Sequence, residues 1–163
     1  MVEIREAQAE DFQQIWPIFE SIVQAENAYA YEPDTTQEEA FVIWMTRPVK
    51  TFVAEDNGAI IGSYYIAANK SGPGKHVSNC GYMVSEKARG QGTARLMCEH
   101  SQKIAVDLGF KAMQFNMVVS CNSPAVKLWQ KLGFEIVGTI PRAFNHADLG
   151  YVDAYVMYKW LVD

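Results

Sequence analysis

The chain has 163 residues, room for one ordinary domain (1–163) and too few for two. At that length folding buries roughly 70% of the chain's surface, so neither a disulfide framework nor a structural metal is needed to hold it together. Fourteen Lys and Arg against nineteen Asp and Glu give a net charge of −5, the wrong sign for a nucleic-acid binder.

Val2 to Arg5 alternates apolar and polar residues and predicts a short first strand. Asp11 is placed to cap a helix carrying Phe12, Ile15, Trp16, Phe19, Ile22 and Val23, with Pro17 predicting a kink or a later start. Glu26 to Glu39, acidic and holding Tyr29, Tyr31 and Pro33, reads as a loop leading into a helix over Gln37 to Met45. Thr51–Ala54 and Ala59–Ala67 flank Asn57-Gly58, a strong hairpin signal. After the Gly72-Pro73-Gly74 loop, His76–Val84 is a strand. Ala94 to Leu108 carries one apolar helical stripe, closed by Gly109. Ala112–Val119 has the uncharged composition of a buried central strand. Ser123 as cap, Pro124 in the first turn and Gly133 past the end bracket a short helix, and Phe134–Ile140 and Tyr151–Trp160 are the last strands. Hairpins require antiparallel pairing and strand–helix–strand units parallel pairing, so a mixed α/β sheet flanked by helices is expected.

No apolar run approaches the ~18 residues of a membrane span, and the opening Met1-Val2-Glu3-Ile4-Arg5-Glu6 lacks the order of a signal peptide. A cytoplasmic chain with no membrane partner is expected. Cys80, Cys98 and Cys121 form no CxxC pair, and His76, His100 and His146 are scattered, so no metal site is expected.

Arg89-Gly90-Gln91-Gly92-Thr93-Ala94 lies where a strand ends and a helix begins. Such a turn leaves amides unpaired at the positive end of a helix, and glycine lets a phosphate approach them. A P-loop needs Gly-Lys-Ser/Thr, and here Thr93-Ala94 follows Gly92; a dinucleotide fingerprint needs a glycine where Arg95 stands. Taken alone, the turn is either an anion cradle or ordinary punctuation between strand and helix.

Two segments together resemble the GCN5-related N-acetyltransferases. Arg89-x-x-Gly92-x-Ala94 matches their Gln/Arg-x-x-Gly-x-Gly/Ala loop. Asn122-Ser123-Pro124-Ala125-Val126-Lys127-Leu128-Trp129-Gln130-Lys131-Leu132-Gly133-Phe134 matches their Asn-x-x-Ala-x-x-Leu/Phe-Tyr-x-x-x-Gly-Phe. The resemblance implies a mostly antiparallel sheet of about seven strands with about four helices and a splayed central parallel pair. It implies acetyl-CoA as cosubstrate, its pyrophosphate on the amides of Arg89, Gly90, Gln91, Gly92, Thr93 and Ala94. Main-chain groups of Met83 and Val84, with Asn122, would hold the pantetheine, and Trp129 would pack beside the thiol. The chain departs from the family at two positions. Trp129 replaces the tyrosine that protonates the leaving thiolate, and Asn116 stands where some relatives carry a basic glutamate. Tyr82, Tyr151 and Tyr155 are the alternative proton donors, with Tyr155 the preferred one.

Asn is depleted in strands, which singles out Asn79 and Asn116 as polar groups lining a pocket or satisfied in the core. His76 to Tyr82, Phe115 to Val118 and Cys121-Asn122 are locally similar to fungal proline-analogue acetyltransferases. That similarity implies a small amine acceptor such as an amino or imino acid, with Asn79 orienting the amine. Peptide N-termini or lysines remain as an alternative acceptor, and a non-catalytic acyl-CoA-binding module as a reading of another class. A homodimer stays open.

Overall fold

The computed structural model describes residues 1–163. Seven strands form one sheet: β1 (Glu3–Glu6), β2 (Lys50–Asp56), β3 (Ala59–Ala68), β4 (Val77–Val84), β5 (Ala112–Val119), β6 (Glu135–His146) and β7 (Gly150–Trp160), in the order β1-β2-β3-β4-β5-β7-β6. Four helices flank it: α1 (Phe12–Gln24), α2 (Gln37–Phe41), α3 (Thr93–Asp107) and α4 (Ser123–Lys131). The mixed, mostly antiparallel sheet expected from the sequence is therefore present.

Most local signals act as read, and a few act differently. Asp11 does not cap α1; its carboxylate accepts from the Gln8 amide at 2.7 Å and takes two bonds from Arg5, which also reaches Glu55 on β2. Arg5 in turn holds the Asp11 carboxyl below its ordinary pKa. The helix begins at Phe12 all the same and runs through Pro17, because its buried face of Phe12, Ile15, Phe19, Ile22 and Val23 anchors it to the sheet. The second helix is only Gln37–Phe41, opened by a Thr36–Glu39 capping box, and continues as a wider π turn over Val42–Thr46. Asn122 takes the cap position of α4 and Ser123 is its first helical residue. The final hairpin is longer than its composition suggests, with β6 reaching His146.

Alternation along the strands builds two cores. Phe52, Tyr64, Ile66, Met113, Phe115 and Met157 pack beneath α3 and α4 with Met97, Cys98 and Phe134. Val53, Ile60 and Met83 face the other way, against α1, α2 and Trp44. All neighbouring strands pair antiparallel except β4 and β5, which are parallel and pair only at Val77–Ala112 and Ser78–Met113. Beyond those two pairs the strands separate. A bulge in β5 between Phe115 and Val118 leaves Asn116 and Met117 out of the ladder to β7.

Candidate active site

The separation of β4 from β5 opens a cavity of about 1230 Å³ through the middle of the sheet. On the α3/α4 side its wall comprises Arg89, Gly90, Gly92, Thr93, Ala94, Arg95, Asn122, Leu128 and Trp129. On the α1/α2 side it comprises the loop Asn27–Tyr31 with Tyr65, Asn79, Asn116, Met117 and His146. Two different chemistries meet there.

The first end is built by a backbone turn. Gly90 and Gly92 have φ of +75° and +83°, the left-handed region that glycine adopts without strain, and a Cβ at either would meet nothing within 4 Å. Gly92 caps α3, so the first amides of a 15-residue helix look out over these two bare glycines. Thr93 begins that helix, is nearly fully buried, and its hydroxyl has no hydrogen-bond partner. A buried hydroxyl beside unpaired helix amides suits an anion's oxygens, so these residues fit the pyrophosphate of acetyl-CoA. Gln91 does not line the cavity; its exposed side chain donates to the Lys87 carbonyl at 3.0 Å.

Strand alternation then decides which main-chain groups face the opening. Ser85 donates to the Ile61 carbonyl and Asn69 to the Val77 carbonyl, each at 2.8 Å, so odd-numbered residues of β4 are bonded to β3. Met83, expected to offer main-chain groups to a ligand, therefore turns them to β3 and buries its side chain against α1. Val84 presents its N–H and C=O to the opening and has no strand partner there. Tyr82 would do the same, but the hydroxyl of Tyr29 fills the gap. It accepts from the Tyr82 N–H and donates to the Tyr82 C=O, both at 2.7 Å. One loop tyrosine thus supplies the bonds that β5 no longer makes. Tyr29→Phe removes both, at a cost of about 1–3 kcal/mol in urea unfolding. Cleavage by proteinase K within residues 25–36 should become faster; an unchanged melt and cleavage rate would show that the loop is held elsewhere.

Asn79 sits at the fork itself. Its amide donates to the Gln114 carbonyl on β5 at 2.9 Å, and its oxygen accepts from the Tyr65 hydroxyl at 3.1 Å. Tyr65 reaches it by lying across Gly81, where a Cβ would stand 2.6 Å from the ring. Asn116 is exposed rather than buried, because the bulge turns it out. It donates to Asn69 Oδ1 at 2.6 Å and accepts from Gln114 at 3.0 Å. Burial raises the pKa of Tyr29, Tyr31 and Tyr65, so all three hydroxyls stay protonated at neutral pH, and those of Tyr29 and Tyr65 donate to the Tyr82 carbonyl and to Asn79 Oδ1.

Of the three tyrosines proposed from sequence as proton donors, only Tyr82 lines the cavity. Tyr82 directs its hydroxyl to Ser101 Oγ at 2.7 Å, away from the opening, and burial pushes its pKa well up. Tyr151 is 71% exposed, and Tyr155 packs against the larger core without lining the cavity. Trp129 packs its ring 5.1 Å from both Tyr82 and Phe115 at the cavity floor. Tyr29 was legible only as part of a covering loop, and no local pattern marks its bond to a residue 53 positions away.

A sheet opened at one parallel pair, with bare helix amides on one face and a polar pocket on the other, is an arrangement that suits an acyl-CoA-dependent transferase. The sequence matches the acetyltransferase (GNAT) family over residues 3–134, and the chain belongs to that family. It is 34% identical over 99 residues to the N-acetyltransferase aca1 of Schizosaccharomyces pombe, covering 60% of this chain and 47% of aca1, so the match spans under half of that relative's length. It is 32% identical over 113 residues to the L-amino acid N-acetyltransferase AaaT of Escherichia coli, covering 68% of each chain. A GCN5-related N-acetyltransferase structure from Kribbella flavida superposes with a TM-score of 0.94 at 44% identity, covering 98% of both chains. The fold is also that of yncA from Salmonella typhimurium, solved with its cofactor acetyl-CoA (TM-score 0.89, 20% identity, 100% of this chain and 95% of that one).

Proposed function

We propose that the protein transfers acetyl from acetyl-CoA directly to the amine of a free amino or imino acid. One observation carries the reading: not a single Asp or Glu lines the cavity, in a chain where acidic residues outnumber basic ones. A polyamine or lysine pocket would need carboxylates to hold the cation. Here the polar groups of the acceptor wall are amides, hydroxyls and one imidazole, which suit a substrate that brings its own negative charge. The name of AaaT, an L-amino acid N-acetyltransferase, supports the same choice.

Each residue then has a task. The amides at Arg89–Ala94, with the Thr93 hydroxyl, hold the pyrophosphate, and Asn122 hydrogen-bonds the pantetheine arm. Val84 pairs with that arm through its C=O, and its N–H is the donor for the charge that develops on the acetyl oxygen. Asn79 Oδ1, already fixed by Tyr65, accepts from the incoming amine and aims its lone pair. The main chain at the Asn116–Met117 bulge faces the carboxylate. No carboxylate base is at hand, so the amine enters neutral and its proton passes to solvent. Trp129 donates no proton; a thiol of pKa near 8.5 leaves readily as thiolate.

The test is a panel of amino acids, imino acids, polyamines and peptides followed by free-thiol release. Amino or imino acids should exceed spermidine by about 100-fold or more in kcat/KM, the worth of roughly 3 kcal/mol of charge complementarity. Asn79→Ala should lower kcat/KM on the best substrate by about 10- to 100-fold, and Asn116→Ala by less. Turnover of peptides or spermidine with none on amino acids would overturn the assignment, as would full activity in both variants. A protein that binds acetyl-CoA and acetylates nothing would be a binding module instead.

A further inference from the structure

The cations around the cavity are unevenly placed. Arg89 and Arg95 belong to the turn and helix at the cofactor end, where Arg95 is paired with Glu99, and Lys131 belongs to α4. The acceptor end has no lysine or arginine on its wall; Arg47 acts on Tyr31 through its charge but does not line the cavity. What the acceptor end does have is His146, the last residue of β6, brought there by the final hairpin.

The ring is held in a defined way. Its Nδ1 accepts from two amides of its own turn, Asp148 N at 3.1 Å and Leu149 N at 3.3 Å. A nitrogen that accepts two N–H groups carries no proton, so the neutral ring bears its hydrogen on Nε2. The hairpin tip is tied in turn to the tyrosine loop, because Ala147 N donates to the Glu26 carbonyl at 3.1 Å. Asn27 and Ala28, next along, line the same wall as His146. Backbone bonds therefore fix both the tautomer and the position, and the remaining edge of the ring is a donor with no acidic residue on the cavity wall to take it.

We infer that His146 is a specificity-determining residue whose Nε2–H donates to the carboxylate of the amino-acid acceptor. This rests on the amino-acid reading above. The fixed tautomer also excludes the role usually given to an active-site histidine: Nδ1 is occupied and Nε2 already holds a proton, so the neutral ring is not the base that deprotonates the amine. His146 selects the acceptor and leaves the acetyl transfer to Val84 and Asn79.

The experiment compares a free amino acid with its own carboxamide as acceptor, in wild type, His146→Ala and His146→Gln. A donor to a charged oxygen is worth about a tenfold change or more in KM. His146→Ala should raise KM for the amino acid by about that factor, and leave KM for the carboxamide and the calorimetric Kd for acetyl-CoA within about twofold. Gln, which keeps an N–H donor, should recover most of the loss. Without any turnover, the imidazole ¹⁵N spectrum should show the Nε2–H tautomer, and that resonance should shift when the amino acid is added and not when the carboxamide is. Equal losses on acid and carboxamide, or none on either, would overturn the role of His146 while leaving the amino-acid assignment standing. A wild type that acetylates no amino or imino acid would remove that assignment first and this inference with it.

Discussion

Gly92→Asp is expected to weaken acetyl-CoA binding by about 100-fold or more while leaving the protein folded. The two effects separate because they act on different things. Gly92 has φ of +83°, and an L-residue there costs about 1–2 kcal/mol of strain. A Cβ there meets nothing within 4 Å, so it adds no collision to the strain. A carboxylate at the N-terminus of α3 even returns about 0.3–1 kcal/mol through the helix dipole. Folding is therefore nearly unaffected. For the ligand the same carboxylate is decisive, since it stands at the proposed pyrophosphate site and would repel that group. Gly92→Ala carries the strain without the charge and should lose about tenfold or less. Calorimetry on the three proteins distinguishes the contributions: equal losses in Asp and Ala would assign the effect to backbone conformation, and wild-type affinity in Asp would place the cofactor elsewhere.

The proposed cofactor end was readable because the elements it is built from are local in sequence. A strand end, two glycines, a helix start and an Asn-led helix lie within residues 77–134, and no long-range contact is required to recognise them. The acceptor end is assembled from pieces far apart in the chain. Asn79 was visible as a polar residue in a strand, but its bond to Gln114 depends on β4 and β5 separating after two residue pairs. Asn116 was expected inside a buried strand. The bulge that exposes it follows from pairing with β7, about 40 residues later. Tyr29 and His146 arrive from opposite ends of the chain, and each gains its role through a backbone bond, to Tyr82 and to the β6–β7 turn. Periodicity reports which face of an element is apolar; it does not report which loop reaches back across the sheet.

Trp44→Ala is expected to cost about 3–5 kcal/mol in unfolding free energy and to raise the acceptor KM more than the acetyl-CoA Kd. Trp44 lies in the π turn after α2 and is completely buried. Its indole N–H donates to Ser63 Oγ at 2.9 Å, and Ser63 donates onward to the Phe52 carbonyl at 2.8 Å. Its ring meets Tyr65 edge-on at 4.9 Å and Phe19 at 5.9 Å, with Tyr29 at 6.4 Å. Two of those three neighbours are acceptor-wall tyrosines, whereas no residue of the Arg89–Ala94 turn touches Trp44 through its ring. The cavity left by alanine loosens Tyr65 from Asn79 and Tyr29 from Tyr82, and the pyrophosphate cradle is untouched. Against a total stability of about 5–15 kcal/mol such a loss is large but survivable at low temperature, where kinetics can still be measured. Trp44→Phe keeps most of the ring contacts and leaves Ser63 without its indole donor, a smaller loss of about 1 kcal/mol. Urea midpoints should fall in the order wild type, Phe, Ala, with acceptor KM rising in the same order. An alanine variant with a wild-type acceptor KM at a temperature where it is folded would show that Tyr65 and Tyr29 are held in place without the indole behind them.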